Sequence, residues 1–163
     1  MLNTYSPIET LKGWYLAGIC GIMIAPREWM SDPIARDFNT GIIDGIPDLS
    51  GAYEYLELEL VPESYEYEEK AKTNKQGPFF ETHLSGLINN ITPELLMTLE
   101  TLRYHEFVAV LTDRQKRLKF AGDITNGLTL NFSNKESNNQ GGLQVVSIEM
   151  AMNFEQAAAF ITV

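Results

Sequence analysis

Residues 92–123 read TPELLMTLETLRYHEFVAVLTDRQKRLKFAGD, and this stretch decides the fold class. Thr92 has a side-chain oxygen to cap a helix, Pro93 fits the first helical position where no N–H is needed, and Glu94 suits the positive end of the helix dipole. Leu95, Leu99 and Leu102 recur at i, i+4 and i+7 with Leu96 beside them, so one stripe of the helix is apolar. The helix is predicted to end near Tyr104. Residues 107–112 then have strand composition, residues 113–117 form a charged turn, and Leu118 and Phe120 alternate with Lys119. A helix followed by a hairpin buries its leucine stripe by folding back onto the sheet.

Upstream, strand signals dominate. Leu56, Leu58 and Leu60 alternate with Glu57 and Glu59, and Pro62 ends the run. Tyr65 and Tyr67 share one face against Glu66 and Glu68, and Phe80, Thr82, Leu84, Gly86 and Ile88 are in phase, which predicts an antiparallel pair of residues 65–72 with 79–88. Downstream, Leu128, Leu130 and Phe132 hold period two, as do Val146, Ile148, Met150, Met152 and Phe154. The polar run SNKESNNQGG, residues 133–142, is expected to be a mobile loop, and residues 156–163 either a last strand or an arm that pairs elsewhere. The sum is one mainly β (α+β) domain over residues 1–163, an antiparallel β-sandwich or open barrel with one helix packed on it.

Two segments are less regular. The apolar run WYLAGICGIMIA, residues 14–25, is far shorter than the about 20 apolar residues that span a bilayer as a helix. It reads as a buried strand or strand pair bent at Gly18 and Gly21, with Cys20 as a small buried hydrophobe. Its leader has neither a basic n-region nor a cleavage site. Residues 26–53, broken by Pro26, Pro33 and Pro47 and several glycines, form a loop-rich excursion. Trp29 and Phe38 in it are either interface anchors or packing onto the same domain.

The 163 residues carry a net charge of −10, and the isoelectric point is about 4.6. That balance argues against wrapping nucleic acid, where Lys and Arg must neutralise phosphates; it is compatible with a wall past which a duplex slides, but by itself reads as an ordinary solvated acidic surface. The lone Cys20 allows no internal disulfide, and His83 and His105 stand in no metal-ligand spacing. No nucleophile motif, phosphate loop or dinucleotide fingerprint occurs, so the sequence predicts no enzyme, metal or cofactor. Seven acidic residues lie between Glu54 and Glu69, whereas Arg114, Lys116 and Arg117 crowd one hairpin tip. An acidic stretch and a basic tip on one chain suit head-to-tail association, which closes into rings. The candidate inter-subunit contacts are therefore Arg114, Lys116 and Arg117 against Glu57, Glu59, Glu66 and Glu68, with Trp29 and Phe160 as apolar contributors.

The order of elements, with Glu69, Gly77, Phe80 and Leu84, then Phe107, Val108, Leu111, Asp113 and Arg114, then Gly122, Gly127, Leu128 and Leu130, resembles a group of small virion-module proteins of tailed phages infecting Bacteroidetes, crAss-like phages included. The resemblance covers about residues 69–160. It implies a structural protein of the virion tail or neck, made in the host cytoplasm: a homo-oligomeric ring in the head-to-tail connector, bound to other tail or neck proteins, with double-stranded DNA passing through the lumen unbound and no membrane contact. A major tail-tube subunit is the alternative within that family. Outside it stands a non-viral β-sandwich module that binds carbohydrate or protein through Trp14, Trp29 or the tyrosines.

Overall fold

The computed structural model describes residues 18–135 and 144–162. Trp14, the leader and residues 136–142 of the polar run lie outside the described residues. The chain forms β1 (Ile19–Pro26), β2 (Ile43–Asp44), β3 (Leu56–Glu57), β4 (Glu66–Asn74), β5 (Gly77–Ile88), α1 (Pro93–Leu102), β6 (Glu106–Asp113), β7 (Leu118–Ala121), β8 (Leu128–Lys135), β9 (Val145–Phe154) and β10 (Ala159–Thr162). All ten strands belong to one curled sheet in the order β2-β10-β7-β6-β8-β9-β5-β4, with β1 along the other edge of β6 and β3 on β1. The mainly β class, with a single α-helix among the described residues, is thus present. One pair departs from the antiparallel expectation, since β10 runs parallel to β2.

The stretch that decides the fold behaves as its residues dictate. Thr92 Oγ1 accepts a hydrogen bond from the Leu95 N–H at 3.2 Å, Pro93 opens the helix, and Leu99 is buried, with Leu95, Leu96 and Leu102 packed half-buried around the main core. Strands β6 and β7 form the hairpin, with Val110 opposite Phe120. Residues 107–111 do not alternate because both faces of β6 are covered. Phe107, Ala109 and Leu111 face the main core, whereas Val108 and Val110 face a second core with Phe120, Ala159 and Ile161.

The second core explains the loop-rich excursion. Residues 26–55 fold back over the outer face of β1, β6, β7 and β10, placing Met30, Ile43, Trp29, Ile34, Leu49 and Tyr55 on it. Side chains fasten this cover. Arg27 pairs with Glu106 and donates to the Ile124 carbonyl at 2.9 Å, and Arg36 Nη1 donates to the Ala157 carbonyl at 2.6 Å. Tyr55 OH donates to the Pro47 carbonyl at 2.8 Å, and burial, with Asp48 nearby, pushes that phenol up to about 12.

Three expectations change in detail and one open alternative is decided. Cys20 is exposed, because the register of β1 on β6 slips between Ile19 and Gly21 and the resulting bulge turns the residue outward. The alternation of residues 56–60 holds in burial only from Glu57 onward, with Leu58 and Leu60 inside and Glu57 and Glu59 outside; Leu56 is 48% exposed, and only Leu56–Glu57 is a strand. The chain then crosses between sheet edges: the Leu58 N–H donates to the Ile22 carbonyl at 2.9 Å and the Val61 N–H to the Leu87 carbonyl at 2.7 Å. Residues 56–61 thereby close one side of the curl. Finally, the C-terminal segment is a last strand of its own sheet, with Ala159 and Ile161 buried, rather than an arm. Likewise residues 133–135, expected in the mobile loop, extend β8.

Among the described residues, one buried side-chain polar atom inside the curl lacks a partner. Thr82 is fully buried on β5, and its Oγ1 makes no hydrogen bond. Burying a hydroxyl without a partner costs roughly 1–3 kcal/mol, and valine has the same shape. Thr82→Val is therefore expected to raise stability by about 1 kcal/mol in urea unfolding; a lower midpoint would show that the hydroxyl contributes to the native state.

Candidate functional site

The acidic candidates separate into two surfaces. Glu57 and Glu59 point outward beside a groove of about 540 Å³ between α1 and residues 56–62, with Leu56, Ile88, Leu95, Leu99 and Leu102 along its walls. Glu66 and Glu68 lie on the outer face of β4, next to His83 and Ser85 of β5 and Ser147 and Glu149 of β9. Strand period two forces this split from Tyr67 and Glu69, which face inward. On the outer face Lys70 pairs with Glu68 at 3.0 Å and Lys72 pairs with Glu81. Hydrogen bonding to Lys72 outweighs desolvation and holds the Glu81 carboxyl below its usual range.

Glu69, counted by sequence among the acids of this stretch, has an internal role. Its Oε2 accepts from Tyr67 OH at 2.9 Å and from the Ala158 N–H at 2.8 Å, tying β4 to the turn before β10. Burial, reinforced by the Glu69 charge and hydrogen bond, raises the Tyr67 phenol well above the ordinary tyrosine range.

The basic tip is more internally engaged than its sequence implies. Asp113 is only 7% exposed. Its Oδ1 accepts from the backbone N–H groups of Gln115 at 2.8 Å and Arg117 at 2.9 Å, and its Oδ2 accepts from Arg117 Nε at 2.8 Å. Arg117 also lies over the Phe160 ring at 5.4 Å, and Lys119 Nζ approaches the same ring at 4.9 Å. Arg117 and Phe160 therefore have partners within the chain, although both remain partly exposed. Arg114 pairs at 3.8 Å with the exposed Glu63, and no ion pair to Lys116 occurs among the described residues. Arg114, Lys116 and Arg117 are all exposed, and Arg114 and Lys116 are the ones whose side chains are not tied to Asp113 or Phe160.

The two aromatic candidates of the excursion have opposite fates. Trp29 stacks on Tyr53 with ring centroids 4.2 Å apart and planes 7° from parallel, while its other contacts go to the second core. Phe38 is 99% exposed. It sits on a turn that Asp37 holds rigid: Asp37 Oδ1 accepts from the N–H groups of Asn39 at 2.9 Å and Thr40 at 2.8 Å, and from Thr40 Oγ1 at 2.8 Å. Those bonds keep the Asp37 carboxyl below its ordinary range and ionised at neutral pH. Sequence reasoning named Phe38 but could not separate it from Trp29.

A polar cleft of about 560 Å³ opens where the β4–β5, β7–β8 and β9–β10 turns meet, lined among others by Asn74, Asp123, Asn126, Asn153, Glu155 and Gln156. Its amides act mainly as turn residues; Asn126 Nδ2, for example, donates to the Asn153 carbonyl at 2.5 Å. Among the described residues, no three His, Cys, Asp or Glu side chains come together as a metal site, and no helix is long and apolar enough to cross a membrane. No protein-family model matches the chain, and neither a curated protein nor a solved structure matches it.

Proposed function

We propose that this chain is a structural subunit that associates head to tail with its own copies into a ring in the head-to-tail connector or tail of a tailed-phage particle. The observation that carries the reading is the separation of a basic hairpin tip from an outward face on which acids outnumber Lys70 and Lys72. Arg114 and Lys116 project from one hairpin tip, while Glu66, Glu68 and Glu149 occupy a separate outward face. A basic tip set apart from an acidic face gives one molecule two unlike ends, which favours a heterologous contact of that tip with another part of the next copy. An outward acidic face left free in such a ring repels phosphate, as the wall of a DNA passage must. The phage context rests on the sequence resemblance over residues 69–160.

Quantitative mass spectrometry of purified particles of the phage that encodes the chain tests this reading. Counted against the portal protein, an amount near one ring per particle is expected. Many rings per particle would favour the tail tube, and absence from the particle would overturn the proposal.

A further inference from the structure

The sheet has two ends, and the features with no partner among the described residues are divided between them. At one end lies the tip of the β6–β7 hairpin. Beside it, Ile19, Cys20, Leu60, Pro62 and Tyr65 line a half-open recess of about 200 Å³, with Arg114 and Glu63 among its polar walls. By size alone, a cavity of about 150 Å³ is enough to take a benzene ring. The recess is thus of a size for one phenyl group.

The Phe38 turn is at the opposite end. Strand β10 runs antiparallel to β7, with Ile161 opposite Leu118 and Ala159 opposite Phe120, so Ala157 lies away from the hairpin tip. Arg36 is bonded to the Ala157 carbonyl, and residues 36–43 form a hairpin through the Arg36–Ile43 bridge and the Asp37 N–H to the Ile42 carbonyl, 2.9 Å. Strand β2 is parallel to β10, so the turn of this hairpin points to the end where Ala157 lies. It holds a phenylalanine almost entirely in water on a backbone already fixed by its own hydrogen bonds.

Charge matches the same division. The end with the recess carries Arg114, Lys116 and Arg117 against Asp113 and Glu63. The Phe38 end carries Asp37, with Asp123 and Glu155 in the neighbouring cleft, against Arg36 and Lys75. Next to the protruding ring stands an exposed carboxylate, and on the rim of the recess stands a guanidinium.

Resting on the head-to-tail reading above, we infer that Phe38 of one copy inserts into the recess between Ile19, Leu60, Pro62 and Tyr65 of the next, with Asp37 facing Arg114 and Lys116. The two halves of the contact sit at opposite ends of one subunit, so the contact is heterologous and propagates. Its anchor is a single preorganised aromatic, the residue type that dominates interface energetics, and the fixed turn reduces the ordering cost of docking it.

The test uses the whole chain and three variants in sedimentation velocity and native mass spectrometry. Phe38→Asp removes the knob, Arg114→Glu/Lys116→Glu reverses the rim, and Met97→Asp changes another exposed apolar residue, 73% exposed on α1, as control. The wild-type chain is expected to oligomerise, and so is Met97→Asp. Phe38→Asp should weaken self-association at least about 30-fold, the scale of a hot-spot residue, with an unchanged melting temperature. An equal mixture of the knob and rim variants, each monomeric alone, should give a one-to-one dimer that grows no further, because one intact knob meets one intact recess. A monomeric wild type overturns this inference and the head-to-tail reading together. Oligomers that persist in Phe38→Asp, or a mixture that stays monomeric, overturn this inference alone.

Discussion

Gly127→Ala is expected to cost about 3 kcal/mol, the upper range for overpacking, and to lower the melting temperature by about 10 °C. Gly127 precedes β8 where that strand meets β6, with Leu128 opposite Phe107. A methyl group placed there would stand 2.8 Å from the Phe107 carbonyl oxygen and 3.0 Å from its backbone nitrogen. Both atoms belong to a strand fixed on its other edge by β1, so the clash is relieved only by separating β6 from β8. That junction joins the two halves of the sheet. Gly86 supplies the contrast. A methyl group there would strike the side chain of Leu60, so Gly86→Ala should be rescued in large part by Leu60→Ala, whereas truncating Phe107 should do little for Gly127→Ala. Thermal unfolding of the four variants decides the matter. A Gly127→Ala chain that melts with the wild type would mean that the junction yields freely.

The parts of this fold legible in the sequence are those set by neighbours in the chain. The Thr92 cap, the leucine stripe of α1, the β6–β7 hairpin and the β4–β5 pair each follow from a local pattern of period 3.6 or two. What escaped depends on contacts distant in sequence. The alternation of Leu58 and Leu60 gave their burial, but no local signal marks that residues 56–61 leave β1 and cross to β5. Cys20 reads as buried from its apolar neighbours, and a one-residue bulge against β6 reverses that. The excursion of residues 26–53 carries no periodicity because it is shaped to the outer face of β1, β6, β7 and β10. Its two aromatics look alike in sequence; only the Tyr53 ring under Trp29 and the Asp37 turn under Phe38 separate them. The acid stretch shows the same limit, since Glu69 differs from Glu68 by strand phase alone, yet one bonds Ala158 and the other faces solvent.

Replacing Asp113 by alanine should cost about 3 kcal/mol and flatten the acid branch of the stability profile. The carboxylate sits 7% exposed at the base of the hairpin tip and accepts three hydrogen bonds, one from a guanidinium. Hydrogen bonds to a charged acceptor contribute more than neutral ones, and alanine leaves the Gln115 and Arg117 N–H groups without their acceptor. Burial raises the Asp113 pKa, but the Arg117 and Gln115 hydrogen bonds and the Arg117 charge outweigh it, so the group titrates below its ordinary value in the folded chain. A depressed folded pKa fixes the sign. The stabilisation is full above the unfolded aspartate pKa of about 3.9 and disappears as pH falls through the lower folded value. Melting temperatures from pH 7 to pH 2 should therefore converge for wild type and Asp113→Ala in acid and diverge toward neutrality. Parallel curves would show that the ionised carboxylate contributes nothing beyond packing. The same geometry governs how assembly is probed at this tip. Arg117→Glu would set a second carboxylate against Asp113 and loosen the hairpin whatever its effect on neighbours. Arg114 and Lys116, which leave that bond intact, are the positions where loss of assembly can be separated from loss of fold.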